Sequence, residues 1–138
     1  MWNIAICDDQ PDSISYVKDR LKNMKSPDIG RIIIFSDGSS MLEDLEENLL
    51  DANIFIMDIK LGNCNGISIA DNILDIRPDS QIIFMSGYDD YYEAVYDVNH
   101  IYFMKKPVSD EILRKAVSKA IEKLNSERKD YFVAENKS

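Results

Sequence analysis

The chain predicts an α/β protein: a five-stranded, parallel, doubly wound sheet with strands in the order 2-1-3-4-5. Two observations carry that prediction. Short apolar runs alternate with amphipathic segments of helix length, the pattern of βα units joined by right-handed crossovers. Two of the runs also end on acid: Asp8 and Asp9 follow the first, Trp2 to Cys7, and Asp58 follows the third, Ile54 to Met57. Open α/β sheets keep their ligand crevice at the carboxyl ends of the strands, and in this order strands one and three are neighbours at the switch point. The three carboxylates are therefore expected to converge.

Each element has its own signal. After Asp8-Asp9-Gln10, Pro11 suits the start of a helix that carries Ile14, Val17, Leu21 and Met24 at helical spacing. Arg31 to Phe35 is a β-branched second strand, and Met41, Leu42, Leu45 and Leu49 mark a second helix after the turn residues 37–40. Strand three leads through Asp58 and the loop Gly62-Asn63-Cys64-Asn65-Gly66 into a helix with Ile69, Ala70, Ile73 and Leu74. Gln81 to Met85 forms strand four, ending at Ser86-Gly87. Tyr91 to Val98 predicts a short fourth helix with Ala94 and Val95 inward, and Ile101 to Met104 the fifth strand. A final helix begins near Ser109 and repeats Ile112, Leu113, Ala116, Val117, Ala120, Ile121 and Leu124. Residues 1–126 are read as one domain. The tail 127–138 reads as a linker, a frayed end or the truncated start of a C-terminal domain.

Composition narrows the function. The 138 residues are 45% hydrophobic and 30% charged, ordinary for a soluble domain with a real core. No apolar stretch is long enough to span a bilayer, and the N-terminus lacks the marks of a signal peptide, so a cytoplasmic protein with no membrane association is expected. A net charge of -9 argues against this domain gripping nucleic acid through its own surface. Cys7 and Cys64 read as free thiols, and the single histidine, His100, as a loop or surface residue rather than a ligand. Crowded carboxylates repel one another unless a cation or a proton intervenes, so Asp8, Asp9 and Asp58 predict a hard, oxygen-seeking metal such as Mg²⁺. A strand-end Asp is often only a cap or turn residue, but two at one strand end with a third after strand three favour a site.

Five separated motifs, Asp8-Asp9, Asp58, Gly66, Ser86-Gly87 and Lys106-Pro107, stand in the order of a known family. Residues 2 to 125 resemble the receiver domains of two-component response regulators, with the CheY-like (βα)5 fold. The segments around Ser86-Gly87-Tyr88, Ala94-Val95-Tyr96 and Tyr102 to Pro107 look most like AgrA/LytR-type receivers, which precede a LytTR DNA-binding domain. The resemblance implies Asp58 as phosphoacceptor, phosphorylated by a sensor histidine kinase. It implies Mg²⁺ held by Asp9, by Asp8 directly or through water, by Asp58 and by the backbone carbonyl of Lys60. Ser86, Gly87 and Lys106 would stabilise the phosphoryl group, and Lys106-Pro107 would be a cis bond. Ser86 and Phe103 would switch the face made by helix four, strand five and helix five, promoting a homodimer and a DNA-binding output through a domain absent from this chain. Tyr102 should point to the other side of its strand.

Where the family often has proline, this chain has Gly62, so that loop is expected to be more mobile. Lys60 and Tyr88 occupy positions the family uses to tune dephosphorylation, which implies a long-lived phosphoform. The chain assists its own phosphorylation but implies no turnover of a free substrate, so it is read as a binding module rather than an enzyme. Two alternatives stand beside this: a receiver-like interaction module that works without phosphorylation, and a haloacid-dehalogenase-like phosphohydrolase. The latter wants Asp-x-Asp after strand one, and Gln10 occupies the second position.

Overall fold

The computed structural model describes residues 1–87, 95, 96 and 98–136, those from 129 on in backbone only. Strands β1 (Trp2–Cys7), β2 (Ile29–Phe35), β3 (Ile54–Asp58), β4 (Gln81–Ser86) and β5 (Tyr102–Lys105) form one sheet in the order 2-1-3-4-5, as the sequence predicts. Every pairing in it is parallel. Helices α1 (Pro11–Asn23), α2 (Gly38–Glu46), α3 (Gly66–Ile76) and the C-terminal helix (Asp110–Asn136) connect and cover it.

Because side chains alternate along a strand, the central strands feed two cores, one on each face. Ala5, Cys7, Phe55, Met57, Ile82 and Phe84 pack under α2 and α3, against Met41, Leu45, Ile69, Ala70 and Ile73. Ile4, Ile6, Ile54, Ile56, Ile83 and Met85 pack on the other face against Val17 and Leu21 of α1 and Leu113, Val117 and Ile121 of the C-terminal helix. Phe103 joins the first core and Tyr102 the second, so the two adjacent rings do lie on opposite faces.

Several boundaries differ from the sequence reading, each for a physical reason. β2 starts at Ile29 and β5 runs from Tyr102 to Lys105, one residue past the apolar run. Helix α2 stops at Glu46: Asn48 takes φ 59°, and the chain turns so that Leu49 is 71% exposed while Leu50 is buried. Leu49 therefore does not share the buried face of Met41 and Leu45. The loop after β3 contains a small antiparallel hairpin, Lys60–Leu61 with Cys64–Asn65. Gly62 turns it at φ +58°, which proline, locked near -65°, could not adopt. The last helix continues through the tail to Asn136, past the final apolar repeat at Leu124. Of the predicted fourth helix, Val95 and Val98 are buried; Tyr91 to Ala94, like Tyr88, lie outside the described residues. His100 is half-buried, with Nδ1 2.8 Å from the Val98 carbonyl and its ring 5.5 Å from that of Phe84.

Gly66 is fixed by close approach. A Cβ there would lie 2.2 Å from the Asp58 carbonyl oxygen and 2.9 Å from the Ile59 Cα, both backbone atoms, while its own N–H donates to the Ile59 carbonyl at 2.6 Å. Gly66→Ala is expected to destabilise the chain by about 2–3 kcal/mol, the upper part of the overpacking range, because the atoms in the way cannot rotate aside. Urea unfolding measures it; a midpoint equal to wild type would mean that α3 shifts freely against β3.

Candidate functional site

Strand register alone assembles the site. β1 and β3 are hydrogen-bonded neighbours with Cys7 opposite Met57, so the next residues, Asp8 and Asp58, emerge side by side. Asp58 pairs with Met85 and Ser86 with Lys105, which brings Ser86 and Lys106 to the same edge. The carboxylates of Asp8, Asp9 and Asp58 offer oxygens that all lie within 4.8 Å of one another. Asp8 and Asp58 are buried and Asp9 is exposed, so the cluster is a wall with one open rim.

The wall is held by Lys106. Its ammonium donates to Asp8 Oδ2 at 2.8 Å and to Asp58 Oδ2 at 2.7 Å, with Ser13 Oγ further off at 3.4 Å. The remaining oxygens are held by backbone: the Gln10 N–H donates to Asp8 Oδ1 at 2.9 Å and the Lys60 N–H to Asp58 Oδ1 at 3.0 Å. The residue after Lys106 is joined by a cis peptide bond, and the Lys106 N–H donates to the Ser86 carbonyl. Asp9, Gln10, Asp58, Lys60, Gly87 and Lys106 line a cleft of about 500 Å³. Ser86 is fully buried beside it.

Charge in this wall is finely balanced. Burial pushes the Asp8 carboxyl above its ordinary value of 3.8, although Lys106 and the Gln10 N–H pull it back. Burial draws the Lys106 ammonium down, but the bonds to Asp58 and Asp8 outweigh it and leave its pKa raised. Cys7, behind the wall, is pushed up to about 12 by burial and by Asp37, Asp8 and Asp58, so its thiol is inert, as expected of a strand cysteine. Since Asp8 holds its proton more tightly folded than unfolded, its ionisation costs stability as pH rises from 3.8 into its raised range. In EDTA, the stability of wild type relative to Asp8→Asn is therefore expected to fall across that window and then level off. Urea unfolding at a series of pH values checks this; a relative stability that rises with pH would contradict it.

All the residues predicted for the site except Phe103 meet at this one edge. Phe103 is half-buried against the core under α2 and α3 and pairs with Phe84 on the neighbouring strand. Tyr16, whose hydroxyl donates to the Val108 carbonyl at 2.6 Å, and Ser13 were not legible as site neighbours: on an amphipathic helix nothing distinguishes them from solvated residues. Oxygen-only donors at this spacing suit a hard divalent cation. Among the described residues, no helix is long and apolar enough to cross a membrane.

The family model described as "Response regulator receiver domain" matches residues 4–118. Among curated proteins, the chain is 27% identical over 122 residues to the sensory transduction protein LytT of Bacillus anthracis, covering 86% of this chain and 47% of that protein. It is 25% identical over 127 residues to the positive alginate biosynthesis regulatory protein of Pseudomonas aeruginosa, covering 86% and 46%. The chain thus spans under half the length of these relatives. A response regulator receiver domain protein of Clostridium thermocellum superposes with a TM-score of 0.77 at 23% identity, covering 91% of this chain and 98% of that one.

Proposed function

We propose, for a chain that belongs to the response regulator receiver domain family, that Asp58 accepts a phosphoryl group from the phosphohistidine of a sensor kinase and so controls an output domain. The observation that carries this reading is the Lys106 ammonium held between Asp8 and Asp58 at the edge of an open cleft. In the transfer, the phosphorus–nitrogen bond breaks, a phosphorus–oxygen bond to the Asp58 carboxylate forms, and imidazole leaves. Asp8, Asp9, Asp58 and the Lys60 carbonyl would hold Mg²⁺, which when bound neutralises charge on the transferring group. The chain's own groups do the rest. Lys106, released from part of its contact with Asp58, meets the phosphoryl oxygens; the Ser86 hydroxyl and the backbone at Gly87 supply donors from the other side.

Movement of Ser86 toward the phosphoryl group would open room for Phe103 to rotate, shifting a two-state equilibrium on the face that includes β5 and the C-terminal helix. A phosphorylation-promoted homodimer on that face would drive transcription regulation through a LytTR-like DNA-binding domain, the residues from 127 on being its linker or its start. The relatives' length and the LytT likeness support this output. The setting is a cytoplasmic two-component pathway, and regulation rather than catalysis is the role. Incubation with acetyl phosphate, with and without Mg²⁺, tests it by intact mass. One added phosphoryl group that needs Mg²⁺ is expected; none under any condition, with the fold intact, would favour an interaction module that works without phosphorylation.

A further inference from the structure

Ser13, Tyr16 and Arg20 stand at i, i+3 and i+7 on α1 and so share one face of the helix. That face meets the segment between β5 and the C-terminal helix, and the first residue of that helix, at alternate residues. Ser13 Oγ accepts from the Lys106 ammonium, the Tyr16 hydroxyl donates to the Val108 carbonyl, and Arg20 is ion-paired with Asp110. The Arg20 guanidinium carbon also lies 4.0 Å from the centroid of the Tyr16 ring, so the cation braces the ring whose hydroxyl makes the central contact.

The segment is anchored at both ends. At one, the Lys106 N–H donates to the Ser86 carbonyl; at the other, Ser109 caps the C-terminal helix, its Oγ accepting from the Ile112 N–H at 3.2 Å. Between those anchors, Tyr16 holds the middle. An open pocket of about 350 Å³ whose walls include Tyr16, Val17, Met85, Lys106, Pro107 and Val108 lies alongside, so the segment is not packed on every side.

We infer that Tyr16 is a positioning residue for phosphoryl transfer: its hydroxyl, braced by Arg20 and Asp110, sets the Lys106–Ser109 segment so that the Lys106 ammonium reaches the acceptor carboxylate. This rests on the reading of Asp58 as phosphoacceptor and Lys106 as its cationic partner. Nothing in it requires Tyr16 to touch the phosphoryl group. Loss of the hydroxyl therefore acts on the rate through Lys106 and removes no carboxylate from the cluster.

The test is the rate of Mg²⁺-dependent phosphorylation by acetyl phosphate in Tyr16→Phe, alone and combined with Lys106→Ala. Tyr16→Phe is expected to slow the reaction about fivefold, the weight of one ordinary hydrogen bond. The Mg²⁺ concentration at half-maximal rate should not rise above that of wild type, and Tyr16→Phe should cause no further slowing once Lys106 is gone. A Tyr16→Phe rate equal to wild type overturns the inference, and so does an equal slowing in the Lys106→Ala background, which would make Tyr16 a fold contact only. Should Tyr16→Phe fold poorly, Arg20→Gln replaces it in both backgrounds, and the same two results overturn the inference. Wild type that takes up no phosphoryl group overturns both this inference and the reading beneath it, whereas uptake by wild type with no effect of Tyr16→Phe overturns the inference alone.

Discussion

Asp58→Asn is expected to gain no mass from acetyl phosphate and Mg²⁺ under conditions in which the wild-type chain should gain one phosphoryl group. The substitution is nearly isosteric, and the amide oxygen can still accept the Lys60 N–H that now binds Asp58 Oδ1. What disappears is the anionic oxygen that would attack phosphorus, together with the acceptor of the Lys106 bond at Oδ2. A neutral amide is not a competent nucleophile at neutral pH, so the loss is complete rather than partial. Neighbouring carboxylates make the experiment informative. Asp8 is fully buried and bonded on both oxygens, but Asp9 is exposed at the rim of the same cleft. If Asp58→Asn still gains a phosphoryl group, Asp9 becomes the acceptor to test and the assignment of Asp58 fails.

Much of this site was legible because its geometry is one-dimensional before it is three-dimensional. A strand buried on both faces reads as an unbroken apolar run, and the residue at which the run ends is the residue that emerges at the sheet edge. Asp8 and Asp58 end two such runs, and the parallel register of Cys7 with Met57 makes them neighbours. Less legible were features that depend on backbone hydrogen bonding rather than burial. Apolar spacing carried the second helix on to Leu49, but a left-handed Asn48 ends it and hands the buried position to Leu50. The C-terminal helix outlasts its apolar repeat because the backbone hydrogen bonds that define it do not depend on an apolar face. The hairpin at Lys60–Leu61 looked like a loop, since two-residue strands leave no periodicity to read. In the sequence Tyr16 is one aromatic on an amphipathic helix, and only the fold shows that its hydroxyl reaches the Val108 carbonyl.

Lys106→Ala is expected to lower the unfolding free energy in EDTA near neutral pH by about 3 kcal/mol, the lower end of the cost of removing one partner from a buried ion pair. The lower end is chosen because the Lys106 side chain keeps 20% of its exposure and water can partly replace it. The cost comes from the carboxylates left behind: Asp8, with no exposure, and Asp58 then face each other with one backbone N–H apiece and no cation. Two responses can relieve them, and each gives the prediction a second readout. Uptake of one proton removes the repulsion, so the gap between variant and wild type should narrow as pH falls toward the carboxylate range. A divalent cation does the same, so millimolar Mg²⁺ should stabilise Lys106→Ala more than wild type, where the ammonium already supplies positive charge. Lys106→Met, which keeps most of the stem, separates charge from packing. Urea unfolding of both variants, with EDTA or Mg²⁺ and at neutral or acidic pH, decides the matter: a Met variant as stable as wild type, or a gap indifferent to both pH and Mg²⁺, would show that Lys106 holds this edge by its aliphatic chain and not by its charge.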